Sequence, residues 1–298
     1  MSRRTDAIAR LLAATLSPIG LARLCPQSPV EISHARLNLP PMCGRFGLGN
    51  PERLDLLMRR LSFPAILGVS PRFNITPSQA VPILLNLDGA RTTWMAQWGL
   101  VPSWAKDRSV GNKLAMARGE SAHEKPSFRE AIKRRRALMP ADLFYEWQPV
   151  EGQKATRPWC VRKRDHAPFL MGALWEQWTP RGEPDSGPLL TCCVITTDAN
   201  DALRPIQDRM PLLIDEADCE RWLDPHTSAN DIQSFMVPRS SDDLHSYRVS
   251  SWVNSPAHDD ARCIEPLPDG QADIEFESSG KEKRSRKSAS VDQLDVFG

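Results

Sequence analysis

Leu189-Leu190-Thr191-Cys192-Cys193-Val194-Ile195-Thr196-Thr197 is the stretch on which the fold reading turns. It is an unbroken run, too short for an ordinary helix and too rich in β-branched residues to favour one, so it reads as a buried strand. On a strand the adjacent Cys192 and Cys193 point to opposite faces, which makes both packing residues. Val81–Leu87, Thr92–Trp98 and Phe169–Leu174 are runs of the same kind. Helical spacing is clear only from Arg53 to Leu61, where Leu54, Leu57, Met58 and Leu61 share a face. Asp215 is expected to cap a short helix carrying Cys219, Trp222 and Leu223. The 26 prolines cut the remainder into long loops and short strands. Strands do not alternate with helices and no internal repeat is visible. The fold expected is therefore a mixed α+β domain, β-rich, with short helices.

Composition narrows the function classes. The chain has 298 residues, 41% hydrophobic and 25% charged, which is ordinary for a globular protein. A formal charge of +1 provides no global field toward nucleic acid, so any such binding must come from a local patch. Seven cysteines, at 25, 43, 160, 192, 193, 219 and 263, form no C-x-x-C pair and no zinc-type spacing. Their odd number fits a reducing cytoplasm better than a disulfide scaffold. Neither a metal nor an organic cofactor is expected. No apolar run reaches the length of a membrane-spanning helix.

Three regions follow. Residues 1–41 differ from the rest: Arg3-Arg4 and the apolar Ala7–Leu16 are broken by Arg10 and Pro18, and Pro40-Pro41 closes the segment. A misplaced start codon, a cleaved leader and a structural extension all remain open, the first being favoured. Residues 42–270 are the folded domain. Residues 271–298 become polar and basic, through Lys281-Glu282-Lys283-Arg284-Ser285-Arg286-Lys287, and are expected to be disordered.

Met42-Cys43-Gly44-Arg45-Phe46 opens the domain. If Met42 initiates translation and is removed, Cys43 carries a free α-amine beside its thiol. The amine titrates near pH 8 (roughly 7.7–8.0), so much of it is nucleophilic at physiological pH. An aldehyde would form an imine with the amine, and the thiolate would close the imine into a thiazolidine.

Ordered blocks follow that cysteine: Pro71-Arg72-Phe73-Asn74-Ile75-Thr76-Pro77, Trp98-Gly99-Leu100-Val101-Pro102-Ser103-Trp104 and Ala117-Arg118-Gly119-Glu120. Arg136, Pro140-Ala141-Asp142, Phe144-Tyr145-Glu146-Trp147 and Asp208-Arg209-Met210-Pro211 complete the set. In this order, after Cys-Gly-Arg-Phe, they resemble the SRAP family (SOS-response-associated peptidase, the abasic-site-processing proteins) over roughly 42–268. The resemblance implies a single SRAP-type domain whose cysteine bonds covalently to the aldehyde of an abasic site in single-stranded DNA. It casts Cys43 as nucleophile and Glu146 as acid/base. Arg45, Arg118 and Arg209 are cast as holding the DNA backbone, with Asn74 beside them and with Trp98 and Trp104 in a tryptophan-bearing loop near it. The chemistry agrees: a closed abasic sugar needs a positioned carboxyl to open it, and guanidinium groups bind phosphate oxygens in pairs. A carboxyl among aromatics also tends toward a raised pKa.

The chain departs from the family pattern at Met116, where asparagine is usual, and at Gln207, where a titratable histidine is usual. Ala137 and Leu143 replace a cysteine and a glycine, and Asn112 and His123 are the nearest candidates for compensation. Three activities stay open: an abasic-site crosslinking or lyase activity in DNA repair, a non-catalytic single-strand binding module, and a self-processing peptidase that cleaves before Cys43. Finally, Gln293-Leu294-Asp295-Val296-Phe297 resembles the pentapeptide with which bacterial repair proteins grip the sliding clamp. A tether of that kind raises local concentration near DNA.

Overall fold

The computed structural model describes residues 44–66, 68, 70–152, 155–180 and 187–268. Cys43, residues 1–41 and the clamp-like 293–297 lie outside them.

The described strands are β1 (Phe46–Leu48), β2 (Arg72–Ile75), β3 (Ala80–Leu87), β4 (Ala90–Trp98), β5 (Met116–Arg118), β6 (Arg136–Ala141), β7 (Leu143–Pro149), β8 (Thr156–Lys163), β9 (Phe169–Trp178), β10 (Leu189–Asp198), β11 (Arg209–Pro211), β12 (Leu213–Ile214) and β13 (Leu244–Arg248). The helices are α1 (Pro51–Arg60), α2 (Ala131–Arg134), α3 (Cys219–Leu223) and α4 (Ala229–Ser234). The protein is mostly sheet with a few short helices, as expected.

Five strands close on themselves in the order β10-β4-β3-β6-β9, because β9 also pairs antiparallel with β10 from Trp178↔Leu189 to Ala173↔Val194. Closure leaves those strands no free edge. Short β5 and β11 continue the pairing of β10, and β12 pairs with β9. The second sheet runs β13-β8-β7-β1-β2. Only Asp142 separates β6 from β7, so one continuous stretch of chain passes from the barrel into the second sheet.

Packing follows the sequence pattern. Ile83, Leu84, Val194 and Ile195 are buried on consecutive positions, which means both faces of the barrel wall are covered. Cys192 and Cys193 are both fully buried, as expected of packing residues. Strand β7 alternates: Phe144 joins the main core, while Leu143, Tyr145 and Trp147 join Cys160, Val249, Val253 and Cys263 in a smaller core on the outer face. The segment after β13 is thus the cover of the second sheet.

Helix α1 begins two residues before the expected position. Pro51 opens it and the Asn50 side chain accepts from the Arg53 amide at 3.0 Å, a normal N-cap. Two expectations fail. Asp215 caps no helix with its side chain, because its carboxylate pairs with Arg239, and a 3₁₀ turn at Glu216–Asp218 leads into α3 instead. Trp98 is not in a loop: it ends β4, is buried against Phe46, and donates its indole N–H to the Ala115 carbonyl at 2.8 Å.

Candidate functional site

The antiparallel register of β1 on β7 pairs Phe46 with Phe144 and Gly47 with Leu143. The Tyr145 amide donates to the Arg45 carbonyl at 3.0 Å, which continues the ladder toward the chain start. One further step puts Gly44 level with Glu146. Glu146 is 0% exposed and lies on the same side of β7 as Phe144, facing the barrel. Two residues on, the Gln148 amide donates to the Pro205 carbonyl at 3.0 Å and accepts from the Trp159 indole at 3.2 Å. The loop before β11 is thereby drawn against the end of β7 that carries Glu146.

Arg45 and Asn74 form one bonded unit. The Arg45 guanidinium donates to the Val253 carbonyl, to the Asn254 carbonyl at 2.6 Å and to Asn74 Oδ1 at 3.2 Å, with Trp147 beneath it at 5.4 Å. Burial lowers its pKa to about 10. Asn74 is fully buried, and its Nδ2 lies within 3.1 Å of the carbonyls of Val253, Ser255 and His258. Asp259 accepts from the amides of Phe73 and Asn74 at 2.5 and 2.8 Å and pairs with Arg72. The partners found for these two side chains are protein groups.

The second group of arginines stands on the barrel side. Arg118 is exposed at the end of β5, opposite Thr196 of β10. Arg209, on β11, is buried and forked between Glu120, at 2.6 and 2.9 Å, and Asp198 at 2.7 Å, with a further bond to the Thr196 carbonyl. Burial raises the Glu120 pKa, but its bonds to Arg209 outweigh that and hold it below the ordinary value. Trp104 is 55% exposed on a turn with firm footings. Val101 donates to Thr191 Oγ1 at 2.9 Å, and the Trp178 indole donates to the Ala105 carbonyl at 2.8 Å. Gly99, with φ of 129°, must be glycine, because a Cβ would lie 2.7 Å from the Gly111 carbonyl.

The departures from the family pattern have plain surroundings. Met116 is half-buried opposite Val194. Gln207 Oε1 accepts from the amide of its neighbour Asp208 at 3.0 Å. Ala137 fills the barrel and Leu143 the outer core. Asn112 accepts from Ser78 at 3.3 Å, and exposed His123 faces Glu124 at 3.6 Å. What sequence reading missed is the cover segment, which holds Arg45 and Asn74 through backbone carbonyls that have no side-chain signature. Its turns were legible, since Ser250 and Asp260 each cap the amide two residues on.

The family model described as SOS response associated peptidase (SRAP) matches residues 42–256. A Bacillus subtilis (strain 168) protein named abasic site processing protein YoqW is 35% identical over 228 residues, covering 75% of this chain and 99% of that one. The Pongo abelii protein named abasic site processing protein HMCES is 28% identical over 292 residues, covering 82% and 81%. A crystal structure of a Bacteroides thetaiotaomicron protein shares the fold, with a TM-score of 0.65 at 22% identity over 76% of this chain and 100% of that one. No helix among the described residues is long and apolar enough to cross a membrane. On the match over residues 42–256, the chain belongs to the SOS response associated peptidase (SRAP) family.

Proposed function

We propose that this protein processes abasic sites in single-stranded DNA and becomes covalently linked to them through Cys43, exposed as the N-terminal residue by removal of Met42. The observation that carries the reading is the register of β1 on β7, which leads the chain start to the level of buried Glu146. The α-amine adds to the sugar aldehyde, giving a carbinolamine. Loss of water forms the imine, the thiol sulfur then bonds to the same carbon, and its proton passes to nitrogen. Glu146 supplies and removes protons in the ring-opening and dehydration steps. DNA lies along the side marked by exposed Arg118 and Trp104, and Arg209 holds that wall together through Glu120 and Asp198. The SRAP relatives named for abasic-site processing support the substrate class. Residues 293–297 tether the protein to the sliding clamp.

A protein beginning at Cys43 is expected to trap abasic single-stranded DNA as a heat-stable adduct on denaturing gels, and one beginning at Met1 is not. Equal yields from both, without trimming detected by intact mass, would overturn the role of the free amine. The passive binding reading is favoured by Gln207, an amide that cannot titrate and whose oxygen is engaged by Asp208. Under that reading neither protein forms the adduct, although both bind the strand.

A further inference from the structure

The cover segment that follows β13 does more than shield the outer face of the second sheet. Val253 and Asn254 are successive residues, and both turn their carbonyls onto the one guanidinium of Arg45. Asn74 completes the ring: its Oδ1 accepts from Arg45, while its amide nitrogen reaches the Val253, Ser255 and His258 carbonyls. The Asn254 side chain in turn accepts from the Trp147 indole at 2.8 Å, and Trp147 lies beneath Arg45 and directly after Glu146. Asp259 fastens the far end of the segment to the backbone of β2. Arg45 stands two residues after Cys43, and its own carbonyl carries the last described rung between β1 and β7.

We propose that Arg45 is a positioning residue and not a phosphate ligand: residues 250–260 form a socket of carbonyls that, with Asn74, fixes the direction in which the chain start leaves β1 and so sets how Cys43 meets Glu146. This rests on the function proposed above. The chemistry of the socket separates the two roles. A planar guanidinium matches acceptors placed on different bearings, whereas an ammonium is a compact point charge. A phosphate accepts either cation, while the socket divides its oxygens between Nη1 and Nη2 of Arg45, which a single ammonium nitrogen does not match.

The test uses Arg45→Lys, Arg45→Met and Asn74→Ala in protein beginning at Cys43. Adduct formation is followed over a range of abasic DNA concentrations, alongside affinity for an intact single strand as a function of salt. The expected result is a maximal rate lowered roughly 10–100-fold in all three variants, the scale of a misplaced reacting group. The half-saturating DNA concentration and the salt slope should stay as in the parent, and Arg45→Lys should recover little. Near-complete rescue by Arg45→Lys, or a salt slope reduced by about 0.7 in Arg45→Met with an unchanged maximal rate, makes Arg45 a phosphate ligand and overturns the proposal. Should the parent itself form no adduct, the abasic-site reading fails on its own, and hydrogen exchange still decides the socket. The amides of Phe46–Leu48 must exchange faster in Arg45→Met than in the parent while those of β3 and β6 do not; unchanged exchange there overturns it.

Discussion

The barrel and the second sheet are made of similar strands but are completed by different kinds of bond. In the barrel, β9 pairs with β10 and the ring of backbone hydrogen bonds closes without needing any particular side chain. In the second sheet, β1 is three residues long and β2 is an outer strand whose amides at Phe73 and Asn74 are met by the Asp259 carboxylate. Backbone closure tolerates sequence drift as long as apolar residues fill the interior. Side-chain closure does not. Arg45, Asn74 and Asp259 are therefore fixed by the bonds they make to one another and to the cover segment. On the function proposed above, the closed ring carries the stability and the chemistry falls to the sheet that is left open.

The sharpest way to break that division is Glu146→Gln. The amide keeps the shape but removes the titrating group, so adduct formation by protein beginning at Cys43 should slow by roughly 10²–10⁴-fold. Thermal stability should move far less than it does for a core truncation. A rate unchanged in a quenched time course would remove Glu146 from the chemistry and leave the second sheet no more functional than the barrel.

The converse test is Trp222→Ala. Trp222 is fully buried, donates to the Ala137 carbonyl of β6 at 2.8 Å and meets Phe235 edge-on at 5.4 Å. Its loss should cost about 3–5 kcal/mol by urea unfolding, through transfer and cavity terms together. Adduct formation by the protein that remains folded should be close to the parent rate. A loss under about 1 kcal/mol would mean that the barrel wall can collapse onto the gap.

Arg209→Met probes the seam between β5, β10 and β11. Arg209 is nearly buried, but its partners Glu120 and Asp198 are 43% and 73% exposed. Solvent screening therefore limits the expected loss to about 1 kcal/mol. The loss should depend on pH with a definite sign. Glu120 is held below its ordinary pKa by Arg209, so the pair stabilises the fold fully above the unfolded value of roughly 4.3 and loses that contribution as pH falls through the lower folded value. Parent and variant should thus converge in stability between neutral pH and the acid limb. A gap that is constant with pH would show that Arg209 acts by packing alone.

Much of this was legible in the sequence, for physical reasons that differ by residue. Leu189–Thr197 and Val81–Leu87 announced buried strands because both faces are apolar, and the structure extends them only to Asp198 and back to Ala80. The face of Glu146 on β7 follows from strict strand alternation, which sets it with Phe144 of the main core and opposite Tyr145 and Trp147 of the outer one. Closure of the barrel was not legible, since it depends on β9 meeting β10 on a second edge. The surroundings of Arg136 were not legible either: it is buried, donating to the Trp222 carbonyl at 2.7 Å and to three other carbonyls. Charge alone does not tell where a carbonyl cluster will form. Asp215 failed as a cap because Arg239, distant in sequence, took its carboxylate.

The smallest effect is also the one that separates the two groups of arginines. Arg118 is exposed at the end of β5, whereas Arg45 is enclosed by three protein oxygens. Only a group that meets phosphate releases counterions when DNA binds, so only its loss changes the dependence of affinity on salt. Arg118→Ala should lower the magnitude of the log–log slope for an intact single strand by about 0.7, and Arg45→Met should leave it unaltered. Over a fourfold change in salt this amounts to roughly a threefold difference in how affinity falls, which fluorescence anisotropy resolves across several concentrations. Equal slopes for Arg118→Ala and the parent would move the strand away from the barrel side. A reduced slope for Arg45→Met alone would bring it to the second sheet, and the division between a closed ring that binds and an open sheet that reacts would have to be redrawn.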